Sequence, residues 1–210
     1  MKPTLPILLA ILAAPASASA QARMSATYIT AEEVQEINAL PGVDRQIVSV
    51  DIGKLNLAVG VIHRGATGGA GGRGRAGGGG AVPQDQRCGV EVADPPTPVA
   101  TGIAHDHQTE TYIVISGAGT LVTGGYIANG RKSAADGPVT TTLNGPSCSG
   151  AIAGADVVRR DVKEGDIIVI PAGVPHGWAA IPDHVDYLSV RPDPDRVLPD
   201  DYVNPALRGR

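Results

Sequence analysis

The chain has 210 residues, of which 28 are Gly and 17 are Pro, and its formal net charge is −4. Such frequent Gly and Pro exclude helix bundles and coiled coils, which need long runs of good helix formers, and a strict three-residue Gly period, as in collagen, is absent. A hydrophobic fraction of 42% excludes a fully disordered chain. The composition therefore predicts one all-β or β-rich domain with many turns.

The first twenty residues have the features of a secretory signal peptide. Lys2 gives a basic start, Ile7–Ala14 form an apolar run, and Ala18-Ser19-Ala20 is a small-x-small cleavage signal. The apolar run is too short for a membrane span, which takes roughly 20 residues. We therefore expect cleavage near Ala20, a periplasmic or secreted location, and no membrane attachment afterwards.

The N-terminal region after the signal, residues 21–43, is predicted to be an arm with one short helix. Thr30-Ala-Glu-Glu33 is a capping box, and it predicts a helix over 31–39 that ends before Pro41-Gly42. Two strands are predicted next, at 46–52 and 55–63. The second alternates apolar and small or polar residues, as a half-buried strand does.

A Gly-rich loop follows at 65–81, with ten Gly among residues 65–80. Its segment Gly72-Arg-Gly-Arg-Ala-Gly77 formally matches a dinucleotide-binding pattern, but no amphipathic helix follows to hold a pyrophosphate. An Arg-Gly segment for nucleic acid does not suit an acidic, exported chain. We expect a flexible surface loop and no nucleic-acid partner.

The two cysteines, Cys88 and Cys148, both lie in loop-like sequence and both remain after signal cleavage. An even number of cysteines in an exported protein favours a disulfide. The bond would close a loop of about 60 residues, worth about 4 kcal/mol in the chain-entropy model. Two free thiols are the alternative. A zinc site is less expected, because neither cysteine has a CxxC or HxxxH neighbour.

The second half of the chain predicts many short strands. They are placed at 99–104, 111–116, 120–123, 139–143, 157–162, 167–170, 177–181 and 185–190. Residues 124–156, rich in Gly, Asn and Ser, are interpreted as an insertion, and 192–210 as an irregular tail. Closely spaced strands with turn signals predict a sandwich or barrel over 44–191.

Two segments carry residues suited to metal chemistry. In the first, His105 and His107 stand two apart, so they share a face if both lie on one strand, and Glu110 follows. In the second, a buried strand ends in a turn at Pro171 and delivers His176. Three imidazoles and one carboxylate suit a borderline divalent ion with two open coordination positions. Histidines with purely structural roles are the alternative.

Both segments resemble the two motifs of the cupin superfamily. The second matches the pattern G-x5-P-x-G-x2-H at its fixed positions Gly165, Pro171, Gly173 and His176. The first matches H-x-H and E-x6-G at His105, His107, Glu110 and Gly117. Two residues separate His107 from Glu110 where the family has three or four, and Val99 stands where the family has its leading Gly.

The resemblance implies a double-stranded β-helix, a jelly-roll barrel, with a short N-terminal helix. It implies one divalent transition metal (Fe, Mn, Zn, Ni, Cu or Co) bound by His105, His107, Glu110 and His176. A homodimer is expected by the same analogy. Three further residues are candidates for the pocket lining, with core or surface roles as the alternative: Tyr112, Trp178 and His63.

Three classes of function suit such a protein. The first is a metal-dependent enzyme acting on a small organic molecule, with an oxygenase favoured over a lyase or isomerase by family analogy. The second is a non-catalytic binder of a small molecule or of the metal, and the third is a structural barrel. The complete set of candidate ligands favours the enzyme.

Overall fold

The structure, a computed structural model, describes residues 25–67, 82–94 and 100–209. The predicted signal peptide at 1–20 and most of the predicted Gly-rich loop lie outside the described residues. Within them, no helix is long and apolar enough to cross a membrane.

The described chain forms mainly antiparallel β-structure. Its strands are β1 (Asp44–Asp51), β2 (Asn56–Gly65), β3 (Arg87–Cys88), β4 (Ala100–His105), β5 (Glu110–Thr123), β6 (Tyr126–Lys132), β7 (Ser147–Ala153), β8 (Val158–Lys163), β9 (Ile167–Ile170), β10 (His176–Ala180) and β11 (His184–Asp193). The helical segments are the α-helix α1 (Ala31–Asn38), the 3₁₀ turns Gln84–Gln86 and Pro205–Leu207, and the π-helix Val139–Leu143.

Helix α1 begins with the predicted capping box. The Glu33 backbone N–H donates to the Thr30 hydroxyl oxygen at 3.2 Å, and the Thr30 backbone N–H donates to the Glu33 carboxylate at 2.8 Å. These two bonds satisfy N–H groups that a helix start otherwise leaves unpaired. The helix then packs on the outer face of β1 and β2, where Ile37 is fully buried.

Two sheets share one long strand. The first sheet has the order β1-β2-β11-β5-β9, and the second has the order β8-β5-β10-β4-β7-β6-β3. Strand β5 passes from one to the other at Gly117, whose φ of 72° favours glycine and whose added Cβ would collide with the His184 carbonyl oxygen. Two antiparallel sheets closed in this way form a jelly-roll barrel, so the predicted all-β double-stranded β-helix is confirmed.

The strand predicted at 139–143 is wrong, because these residues form a turn of π-helix. Their three Thr residues favour a strand by β-propensity, but the segment begins after Pro138, which has helical φ and ψ. The Thr141 hydroxyl also donates to the Gly137 carbonyl oxygen at 3.0 Å. Such local side-chain-to-backbone bonds compete with a strand ladder.

The segment predicted as an insertion at 124–156 belongs to the barrel, because it contains β6 and β7, which pair in the second sheet. Its many glycines allow close packing rather than loose loops. A Cβ added at Gly150, for example, would lie 2.7 Å from the Ile127 side chain. The strands predicted at 111–116 and 120–123 are likewise one strand, β5.

The predicted pairing of Cys88 with Cys148 is confirmed by a disulfide between β3 and β7, with a Cα–Cα distance of 5.9 Å. Gly130 of the intervening strand β6 makes room for it, since a Cβ there would lie 2.7 Å from the Cys148 Sγ.

The C-terminal tail covers the free edge of β1, where the Ser49 N–H donates to the Tyr202 carbonyl oxygen at 2.9 Å.

Candidate metal centre

Three of the four predicted ligands meet inside the barrel. His105 ends β4, Glu110 begins β5 and His176 begins β10, and all three side chains are buried. The Nε2 atoms of His105 and His176 lie 3.2 and 3.1 Å from the same oxygen, Oε2 of Glu110. Strands β4 and β10 are paired, with His176 opposite Ile103, and this pairing brings the two imidazoles to the same end of the barrel. These ligand atoms all lie within 4.8 Å of one another.

The other ring nitrogens determine where the imidazole protons reside. The His176 Nδ1 lies 3.0 Å from the Val174 carbonyl oxygen, which can only accept, so Nδ1 carries the hydrogen. The His105 Nδ1 lies 2.9 Å from the Ser147 hydroxyl oxygen, and that hydroxyl donates to the Gly145 carbonyl oxygen. In the neutral rings, both Nε2 lone pairs therefore face the Glu110 carboxylate. The His176 Nε2 is buried without a hydrogen-bond partner, so a cation among these three atoms, either a proton or a metal ion, would stabilise the cluster.

Glu110 is oriented by four further side chains. Its Oε1 accepts from Asn144 at 3.0 Å, from Ser189 at 2.9 Å and from the Arg191 Nε at 2.9 Å. Its Oε2 accepts from the Tyr112 hydroxyl at 2.9 Å. Burial acts to raise the pKa of Glu110, but the Arg191 guanidinium opposes it most strongly, and the pKa is held well below its usual value. The side chain is therefore a carboxylate.

Burial also sets the protonation of the neighbouring groups. It lowers the pKa of His105, and the nearby Glu110 only partly offsets this effect. It raises the pKa of Tyr112 well above the usual value, and the charge of Glu110 adds to the rise, so the phenol remains a donor. A neutral imidazole beside an ionised carboxylate is the protonation state that metal binding requires.

His107, predicted as a fourth ligand, lies outside the cluster. Its side chain is 57% exposed, and its Nδ1 lies 2.7 Å from the Asp195 carboxylate of the C-terminal tail. Strand β4 ends at His105, so the alternation of faces that would place both imidazoles inside no longer applies. The spacing of two residues between His107 and Glu110 departs from the family pattern, but it did not tell which imidazole would lie outside.

The three predicted pocket residues have different surroundings. The Tyr112 ring lies edge-on to the His176 ring at 6.0 Å between centroids, next to the cluster. Trp178 packs on Tyr187 at the margin of the apolar core, with 5.7 Å between centroids. His63 lies on the outer face of the barrel, paired with Asp186 at 2.6 Å, and borders an open surface cavity of about 510 Å³.

Three of the four side chains that hold Glu110 were missed by sequence reasoning: Asn144, Ser189 and Arg191. Ser189 and Arg191 occupy the inward positions of β11 that follow Val185 and Tyr187, and all four are fully buried. Two polar residues that continue an apolar alternation are a readable sign of a polar interior. Asn144 had no such sign, because it follows a π-helix that was predicted as a strand.

Comparison with known proteins gives matches among solved structures alone: no family model matches, and no curated protein does. A Bacillus halodurans protein, BH2720, is 12% identical with a TM-score of 0.40, over 87% of this chain and 92% of that one. A Klebsiella pneumoniae protein described as an uncharacterized conserved protein with a double-stranded beta-helix domain is 17% identical with a TM-score of 0.36, over 81% and 93%.

A third structure, an RmlC-like cupin family protein from Methanocaldococcus jannaschii, is 14% identical with a TM-score of 0.32, over 72% of this chain and 84% of that one. At such identities and TM-scores, none of these structures informs the activity of this chain. Its own strand topology gives the chain a double-stranded β-helix fold, whose interior holds a His105–Glu110–His176 cluster that could bind a metal ion.

Proposed function

We propose that this protein binds one divalent transition metal through His105, Glu110 and His176 and acts as a metal-dependent enzyme on a small organic molecule. The observation that carries the proposal is the convergence of two imidazole Nε2 atoms on one carboxylate oxygen, with the His176 Nε2 otherwise unpartnered. Electron-rich atoms at such distances repel one another unless a cation lies among them.

The donor set supports a transition metal. Two imidazoles and one carboxylate suit Fe, Mn, Co, Ni, Cu or Zn, and sets of this kind with open positions are typical of non-haem Fe(II) oxygenases. That donor set favours an oxygenase over a lyase or isomerase. When bound, the ion supplies Lewis-acid or one-electron chemistry to a small molecule at its open positions.

The residues of the chain itself orient and protect this centre. Ser147 and the Val174 carbonyl hold each imidazole by its Nδ1, which keeps both Nε2 atoms aimed at Glu110. Arg191 keeps Glu110 ionised, and the Tyr112 hydroxyl holds its Oε2. Hydrogen bonds behind the ligands raise metal affinity by fixing tautomer and orientation.

We also place the protein in an oxidising compartment, the periplasm or the exterior. The Cys88–Cys148 disulfide supports this placement, because disulfides persist where thiols are not kept reduced. Mass spectrometry of the protein from its native compartment would test it: cleavage near Ala20 together with an intact disulfide is expected.

Elemental analysis of the purified protein tests the metal site. The wild type should carry close to one metal ion per chain after reconstitution, and His176→Ala should lose it. His107→Ala is the matched control, because His107 is an exposed histidine outside the cluster, and it should keep the metal. Metal retained by His176→Ala, or lost by His107→Ala, would overturn the assignment.

Turnover tests the catalytic part of the proposal. Oxygen uptake by the Fe(II)-reconstituted protein, measured with a panel of small organic compounds, should exceed that of His176→Ala under the same conditions. Saturable ligand binding without any product would instead identify a non-catalytic binder.

A further inference from the structure

The outer face of the first sheet carries two titratable side chains of β11. Val185 and Tyr187 belong to the buried core, so His184 and Asp186, which alternate with them along the strand, face outward. The metal cluster lies inside the barrel, on the opposite face of the sheet. The contacts of His184 and Asp186 are therefore independent of that cluster.

A β-bulge brings a serine of β5 to the same outer face. Val114 of β5 is opposite the inward-facing Tyr187 of β11. Ser116, two residues later, is opposite the outward-facing Asp186, because Ile115 is an extra residue between the two pairs. Directly opposed residues of an antiparallel pair share a face, so the bulge turns Ser116 outward. Bulges are frequent beside active sites, where they re-aim a side chain.

Ser116, His184 and Asp183 are connected by hydrogen bonds, and they are called the outer triad below. The Ser116 Oγ lies 2.7 Å from the His184 Nε2, and the His184 Nδ1 lies 2.7 Å from the Asp183 carboxylate. A carboxylate can only accept, so Nδ1 carries the hydrogen of the neutral ring and Nε2 has the lone pair. The Ser116 hydroxyl therefore donates to Nε2. In this arrangement an imidazole acts as the base toward a serine nucleophile.

Two further neighbours position the His184 ring. The His63 ring stacks on it with 6.2 Å between centroids and 23° between planes, and His63 is itself held by Asp186 at 2.6 Å. Gly117 lets the ring lie close to β5, since a Cβ there would lie 3.1 Å from the His184 Cδ2. The Asp183 side chain is 90% exposed. The orientation of His184 therefore does not depend on that carboxylate alone.

The outer triad is accessible from solvent. The His184 side chain is 34% exposed, and Ser116 is half-buried. The open cavity of about 510 Å³ that borders His63 and Asp186 begins beside the stacked rings, and its walls include the apolar Leu40. A small substrate can therefore approach the Ser116 hydroxyl with room for its remaining part, and water can reach the same atoms.

We propose that the outer triad is a second active site, independent of metal, that hydrolyses small carboxylic esters. The Ser116 Oγ attacks the ester carbonyl carbon while the His184 Nε2 takes its proton. The bond to the alcohol oxygen then breaks, and His184 returns the proton to the leaving alkoxide. Water, deprotonated by the same nitrogen, attacks the acylated Ser116, which releases the carboxylic acid and restores the hydroxyl.

Reaction with p-nitrophenyl acetate tests the proposal. The full chain is incubated with this ester and a chelator, which keeps the metal centre empty. The release of p-nitrophenol is followed, and acetylated peptides are identified by mass spectrometry. The wild type should carry an acetyl group on Ser116, and Ser116→Ala should lose it. His184→Gln should slow the release about a hundredfold, the lower end of what a general base contributes.

Two further variants sharpen the test. His107→Ala is the matched control, because His107 is also an exposed imidazole held by a carboxylate, that of Asp195 at 2.7 Å, and has no serine partner among the described hydrogen bonds. It should react as the wild type does. Asp183→Asn changes an exposed residue and should fold normally. It should slow the release less than His184→Gln, because His63 still stacks on the ring.

The proposal is overturned if the wild type gains no acetyl group on Ser116, or if His184→Gln acetylates Ser116 at the wild-type rate. It is also overturned if Ser116→Ala releases p-nitrophenol as fast as the wild type, or if the release requires added metal. The acetylated peptide of the wild type decides the proposal even where Ser116→Ala does not fold. Because the chelator is present throughout, the result does not depend on the proposed metal centre.

Discussion

Arg191 is a buried cation that pairs with two carboxylates inside the barrel. It is fully buried, and its guanidinium bridges Glu110 at 2.9 Å and Asp44 at 2.5 Å. Its own burial lowers its pKa, but the two carboxylates outweigh this and raise it, so the side chain is permanently charged. A buried pair gains little net stability when intact, but removing one partner leaves the other charge uncompensated.

Replacing Arg191 should therefore be costly. Arg191→Met should lower the free energy of unfolding by about 3–5 kcal/mol, because two carboxylates lose their cation. Arg196→Met is the control: Arg196 also pairs with two carboxylates, Asp51 and Asp200, but at the surface, where solvent screens the charges, so its loss should lower the free energy of unfolding much less. Urea denaturation of both variants measures the difference. Equal losses would contradict the central role of Arg191.

At the scale of elements, the disulfide secures the outermost strand of the second sheet. Strand β3 has two residues and pairs with β6 alone among the described strands. Cys88 ties it to β7, which lies beyond β6 in the sheet. Short edge strands gain little from their own hydrogen bonds, so the covalent link supplies what the ladder lacks.

The double variant Cys88→Ser, Cys148→Ser should lose about 4 kcal/mol of stability in the chain-entropy model, given a loop of 60 residues. Thermal unfolding with and without a reducing agent measures this. The wild type should show a lower Tm when reduced, and the double variant should show no response. A wild-type Tm that is insensitive to complete reduction would contradict the prediction.

Helix α1 and the segment Val139–Leu143 show when short-range sequence signals are sufficient to predict an element and when they are not. Helix α1 begins where its capping box predicts, since the cap is formed by residues three apart in the chain. Val139–Leu143 was predicted as a strand, and there the choice depended on competing bonds from Thr141 and on the preceding Pro138. β-propensity describes how well side chains pack in a paired strand, and this segment pairs with none of the described strands, although Gln46 of β1 donates to its Thr142 and Leu143 carbonyl oxygens.

For the whole molecule, the buried titratable groups predict loss of stability in acid. The pKa of His105 is lowered below its usual 6.5, so the unfolded chain takes up its proton first as pH falls. The pKa of Glu110 is lowered well below 4.5. Its contribution to the free energy of unfolding is therefore complete above pH 4.5 and is lost as the pH falls through the pKa of the folded state. In both cases the unfolded state binds more protons, and stability rises with pH.

The free energy of unfolding, measured by urea titration in the presence of a chelator, should therefore fall between pH 7 and pH 4. His105→Gln should show a shallower fall between pH 7 and pH 5, because that part of the dependence comes from His105. The exposed His107 acts in the opposite direction, since Asp195 raises its pKa. Stability that is constant or rises towards pH 5 would contradict the assignment.

The sequence by itself determined the all-β class, the cysteine pair and three of the cluster residues, His105, Glu110 and His176. Turn residues and ligand types at fixed short spacings act within a few residues, so their pattern can be read along the chain. The tertiary structure alone decided that His107 stays outside and that Asn144, Ser189 and Arg191 complete the site. These three lie 34, 79 and 81 positions from Glu110. A period of two tells which face of a strand is buried, but only the closed barrel decides which side chains meet across its interior.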